Sequence, residues 1–152
     1  MTTEAWSGGC QCGAVRFTAE PDLENGHLCH CRMCQKAVGA PFAAHVGAPV
    51  ESLIWTRGEP SEFESSAGIF RGFCKACGTY LYFRREAGKR QSMAMAAFDR
   101  AADIPLNAEL GIESRWPALA PLPIEQVTSE EENPEGLDAI RESNKQHPDH
   151  DT

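Results

Sequence analysis

The spacing of its cysteines constrains this chain more than any other feature. Cys29, His30, Cys31, Arg32, Met33 and Cys34 follow one another, so three thiols stand within six residues. Cys10 and Cys12 lie upstream and Cys74 and Cys77 downstream, which accounts for all seven cysteines. An odd number of thiols suits a disulfide framework poorly, because pairing leaves one over. The N-terminal residues show no basic region followed by an apolar one, so a secretory leader is not expected and a reducing cytoplasm is. Metal ligation divides the seven into four and three. A structural zinc takes four protein ligands, whereas a catalytic zinc takes three and keeps one position open.

The 152 residues amount to about one domain. A hydrophobic content of 41% supports one core, small enough for metal staples to help hold it. The longest apolar run, residues 93–98, is far short of the ~20 residues that span a bilayer. No membrane partner is expected. Of the net charge of −8, residues 125–152 carry −7, with nine acids against Arg141 and Lys145. The body therefore offers no basic excess, and a nucleic-acid partner is not expected.

Short alternating segments point to a mainly β body. Val15, Phe17 and Ala19 share one side of a strand over residues 14–19. Residues 42–46, 50–56, 79–84 and 92–98 read as further strands, and 63–66 with 69–73 as a hairpin around Ala67 and Gly68. Phe42, Trp55, Phe73, Tyr80, Met93 and Met95 read as core. The expected domain covers residues 1–124, with 125–152 an acidic, flexible tail. Within it, Asn133 and Pro134 could start a frayed helix as N-cap and first position.

Cys10/Cys12 and Cys74/Cys77, each pair followed by glycine, together make one four-thiolate zinc site. In extended chain Cys10 and Cys12 would face one metal, and so would Cys29 and Cys31. Cys34 lies one helical turn beyond Cys31, so a strand end running into a short helix would gather that second set. His27, His30 and His45 are candidates to close it; His30, between two cysteines, points away in extended chain. Left open, a three-thiolate zinc favours a thiol substrate, because a coordinated thiol is deprotonated and the site's net negative charge weakens water activation. Arg32, Lys36 and Arg71 are candidates to hold substrate carboxylates, Arg71 foremost for its nearness to Cys74. The rival readings are a non-catalytic zinc module that binds other proteins and a redox-sensing thiol set.

These motifs resemble one family. Residues 9–17 around Cys10 and Cys12, the run from Cys29 to Cys34, residues 39–42, Ser65 and Ser66 with Gly68, and residues 71–78 are similar to the glutathione-dependent formaldehyde-activating enzyme, or centromere protein V domain, family. The resemblance spans about residues 6–116. It implies a β-tent of twisted antiparallel sheets and two zinc ions. Cys10, Cys12, Cys74 and Cys77 would hold a structural zinc, and Cys29, Cys31 and Cys34 a catalytic one. The implied activity is that of a carbon–sulfur lyase joining glutathione and formaldehyde into S-hydroxymethylglutathione. The chain departs from the family at residues 107–112. Members often carry a Pro-x-x-His-Ile type segment there, and this chain has no histidine in it.

Overall fold

The computed structural model describes residues 4–145 and Asp149. Strands β1 (Trp6–Gly9), β2 (Arg16–Ala19), β3 (His27–Cys29), β4 (Ala43–Pro49), β5 (Ile54–Arg57), β6 (Ser61–Ser66), β7 (Ile69–Phe73), β8 (Tyr80–Arg85), β9 (Arg90–Ala94), β10 (Ala108–Leu110) and β11 (Glu125–Val127) are joined by helix α1 (Arg32–Val38). The short helices α2 (Ser129–Glu132) and α3 (Leu137–Ser143) follow β11. β1, β2 and β5 form one antiparallel sheet, and the other eight form a second in the order β11-β10-β3-β4-β9-β8-β7-β6. The expected antiparallel construction holds except at one edge, where β10 runs parallel to both β3 and β11. No helix among the described residues is long and apolar enough to cross a membrane.

The two sheets share one core. Period-two alternation in β2 sends Phe17 and Ala19 inward, and Phe17 meets Trp55 and Phe98 edge-on at centroid distances of 5.7 and 5.2 Å. Val46, Leu81 and Met93 close that core from the larger sheet. Each such side chain contributes about 1.5–3 kcal/mol by leaving water. The strand expected over residues 92–98 ends at Ala94 and tightens into a 3-10 turn at Met95–Ala97, which keeps Met95 buried. Residues 50–56 likewise divide into a 3-10 turn and β5.

The segment beyond residue 124 does not stand off as a frayed tail. The expected boundary runs through the larger sheet, with β10 before it and β11 after it. Glu-Gln-Val carries no apolar alternation; β11 is held instead by its ladder with β10 and by Gln126, which hydrogen-bonds the buried Glu109 at 2.7 Å. A capping box between Thr128 and Glu131 starts α2, and Asn133 ends it; as expected, Asn133 also caps the turn that leads into α3, its Oδ1 accepting the Gly136 N–H at 3.2 Å and its carbonyl the Leu137 N–H at 3.1 Å. The Lys145 N–H then donates to the Ser65 carbonyl at 2.9 Å, and Ser143 Oγ accepts from the Ala67 N–H at 3.0 Å. The expectations for residues 1–3, 146–148 and 150–152 lie outside the described residues.

Candidate metal centres and active site

Cys10 and Cys12 follow β1 not in extended chain, as expected, but in a tight turn. The Gly13 N–H donates to the Cys10 carbonyl, and Gly13 holds the positive φ of 77° that closes it. Cys74 and Cys77 repeat the device between β7 and β8, with Gly78 at φ 79° bonded back to the Cys74 carbonyl. The two turns meet so that all four sulfurs lie within 4.8 Å of one another. Sγ of Cys12 is 3.6 Å from Cys10 and 3.9 Å from Cys74. Four sulfurs at ~2.3 Å from a tetrahedral zinc stand ~3.8 Å apart, so this donor set fits zinc. The Val15 N–H donates to Cys10 Sγ, and hydrogen bonds from Thr79 hold the Cys77 thiol down to about 5.

The second cluster forms where β3 runs out into α1. Cys29 ends the strand, Cys31 is the N-cap of α1 with its sulfur accepting the Cys34 N–H, and Cys34 sits one turn into the helix. Gly39, at φ 66°, closes the helix. Sulfurs of Cys29, Cys31 and Cys34 lie within 4.8 Å of one another, and among the described residues no histidine or carboxylate joins that group. Three thiols with nothing completing them match the donor set of a zinc that keeps a position open.

The neighbourhood of this cluster is polar and buried. Arg71 crosses from β7 to place Nη1 3.6 Å from Cys34 Sγ, while its Nε donates to Ser65 Oγ and its guanidinium lies over the Phe83 ring. Of the three basic candidates it is the one that lines the cavity at this cluster, although its sequence neighbour Cys74 belongs to the other cluster. Hydrogen bonds from the Cys29 and Cys31 thiols, joined by the Arg71 charge, hold Cys34 well below the ordinary thiol range. Arg32 instead pairs with Asp149, and neither it nor Lys36 lines the cavity at the cluster.

His27 and His45 line that cavity with the three cysteines. The Asn25 carbonyl accepts from His27 Nδ1–H at 2.8 Å, and burial lowers the pKa of this ring, so it is neutral with its lone pair on Nε2. Burial also drives His45 down to about 3 and keeps it neutral, with Nε2 2.9 Å from the Tyr80 hydroxyl. Tyr80, expected as core alone, therefore also belongs to the site's polar framework. His30 points away from the sulfurs, as its phase implied, and Nε2 donates to Glu109 at 2.8 Å.

Glu109 was not legible as a site residue. It stands on β10 and is 2% exposed. Its carboxylate also accepts from Arg115, Gln126 Nε2 and the Leu122 N–H. The parallel pairing of β10 with β3 carries this acid beneath His30, and the Leu110 carbonyl accepts the His30 N–H. Gly111, at φ 64°, then leaves room for Cys31, whose backbone nitrogen would lie 3.0 Å from any Cβ there.

The cavity measures ≈140 Å³ and opens over Cys29, Cys31 and Cys34. The model of the glutathione-dependent formaldehyde-activating enzyme family matches residues 5–112. The chain belongs to this family. It is similar to an uncharacterized lyase of Schizosaccharomyces pombe, 31% identical across 72% of this chain and 80% of that protein. A Colletotrichum graminicola protein bearing the family's name is 28% identical across 90% of this chain and 71% of its own. One from Phaeosphaeria nodorum is 34% identical over 53% of this chain, spanning 46% of that protein's length. The fold is shared with a crystal structure of a Rhodobacter sphaeroides protein, at TM-score 0.55 and 21% identity, covering 66% of this chain and 99% of that one.

Proposed function

We propose that this protein is a zinc-dependent carbon–sulfur lyase that makes and breaks the adduct between a thiol and an aldehyde, glutathione and formaldehyde being the first pair to test. Cys10, Cys12, Cys74 and Cys77 would hold a structural zinc, and Cys29, Cys31 and Cys34 a catalytic one. The observation that carries the reading is the second cluster: three thiols, no fourth ligand among the described residues, and a cavity above them. Family membership and the lyase named among the relatives support an enzyme of lyase type.

Zinc bound there would supply a thiophilic Lewis acid that keeps a substrate sulfur deprotonated. The protein's residues do the rest. Arg71, oriented by Ser65, keeps Cys34 ionised and therefore able to ligate. Neutral His27 has Nδ1–H committed to Asn25 and offers Nε2 as the acceptor for the proton the thiol gives up. In the forward direction the sulfur–carbon bond forms as the aldehyde π bond breaks, and the same proton ends on the resulting hydroxyl. The reverse reaction retraces these steps, with no net oxidation or reduction.

The test is the zinc-loaded full chain with glutathione and formaldehyde, followed by NMR exchange between free thiol and adduct. Exchange faster than the uncatalysed rate, and lost on Cys31→Ser, is the expected result. Exchange at the uncatalysed rate with both zinc ions bound would favour a non-catalytic zinc module.

A further inference from the structure

Residues 113–145 lie beyond the span matched by the family model, yet α2 and α3 supply one wall of the cavity. Leu137 and Ile140, spaced i, i+3, lie on one face of α3 and line it together with Ile69, Phe83 and Leu110. The wall is seated: Ser143 and Lys145 hydrogen-bond residues of the β6–β7 hairpin, the same hairpin that sends Arg71 to Cys34.

We infer that this C-terminal wall selects the substrate, and that it selects a thiol adduct whose sulfur-proximal part is a short apolar group of up to about six non-hydrogen atoms. The inference rests on the proposed thiol-accepting site and adds the class of thiol to it. Size sets the limit. A cavity of about 150 Å³ lined by Leu, Ile and Phe accommodates benzene, and this one measures ≈140 Å³. The body of a tripeptide thiol is far larger than this space and would have to lie outside it. Polarity sets the kind. The sulfur end meets the cysteines and Arg71, while Ile69, Phe83, Leu110, Leu137 and Ile140 supply the apolar part of a lining to which Ser129 and Asn133 also contribute.

The test titrates the cobalt-loaded full chain with ethanethiol and with hexanethiol, whose thiols have the same acidity, and reads the thiolate-to-metal absorption. Each methylene buried favours binding about fourfold, so hexanethiol, with four more of them, should bind about two-hundredfold more tightly than ethanethiol. Leu137→Asn and Ile140→Asn should each cut that ratio about tenfold or more, and Ile140→Trp, by filling the space, should bring it below one. The band before thiol addition reports whether each variant holds its metal and its fold. A ratio near one in the native chain, or one indifferent to all three substitutions, overturns the inference while leaving the thiol site standing. A band that no thiol perturbs overturns the open-site reading, and the inference falls with it.

Discussion

Around Cys10, Cys12, Cys74 and Cys77 the neighbours are backbone amides, Thr79 and, behind the buried Cys10 and Cys74, the hydrophobic core, with Cys12 and Cys77 exposed to solvent. Around Cys29, Cys31 and Cys34 they are a buried arginine, two neutral histidines, a tyrosine and a cavity. Both clusters use the same ligand atom. The first has enough of them to satisfy a tetrahedral ion, needs nothing further, and clips the turn after β1 to the turn between β7 and β8. The second stops at three and spends its surroundings on charge and space. Ligand count closes a site; the second shell decides what an open one can do.

The sharpest way to break this comparison is to remove one thiol from each cluster. Binding of a structural zinc is worth about 10–16 kcal/mol in small zinc-folded peptides. Cys77→Ser should therefore abolish the cooperative thermal transition, whereas Cys31→Ser should retain it and lose one zinc per chain by metal analysis. Collapse of both variants, or of neither, would mean that the two clusters do not differ in role.

Arg71→Met probes the buried charge beside the second cluster. Without the guanidinium the Cys34 pKa rises, and one unit corresponds to about 1.4 kcal/mol. Zinc retained by the three-thiol cluster should fall about tenfold or more at neutral pH and recover as the pH is raised. The four-thiol cluster should keep its ion throughout, which dialysis against a chelator at several pH values would show.

Glu109→Gln tests the support behind the second cluster, for which the first has no counterpart. Hydrogen bonds to a charged group contribute about 1.5–3 kcal/mol, and a loss of that size should appear in urea unfolding. Burial works against this carboxylate, but bonds from Gln126, His30 and the Leu122 N–H with the Arg115 charge hold its pKa below the ordinary value. A lowered carboxyl stabilises the fold above its unfolded pKa of about 4.3, and that contribution disappears as the pH falls through the lower folded value. The wild-type chain should thus lose stability more steeply than the variant below about pH 4.3. Parallel profiles would assign the cost to shape rather than charge.

Much of this was legible along the chain. The pairing within each outer cysteine couple, the glycine after it, the strand-to-helix run through Cys29 and Cys34, and the hairpin at Gly68 all depend on neighbours within a few residues. Turn and helix geometry acts at that range, so spacing reports it. The alternation that buries Phe17 is local in the same way. That the two outer couples meet across 62 residues followed only from counting thiols.

What the tertiary structure alone decided lies at long sequence separation. Arg71 reaches Cys34 across 37 residues and His30 meets Glu109 across 79. Tyr80 finds His45, and the acidic segment that seemed bound for solvent becomes β11, α2 and α3 against the cavity. None of the three pairings Arg71–Cys34, His30–Glu109 and Tyr80–His45 has a period or a motif. A lone arginine, glutamate or tyrosine looks the same in sequence whether it faces water or a buried partner, and only the strand order of the larger sheet determines which. The short cysteine runs were set by local spacing; the meeting of the outer pairs, the charge, the space and the far wall of the site were set by which strands lie side by side.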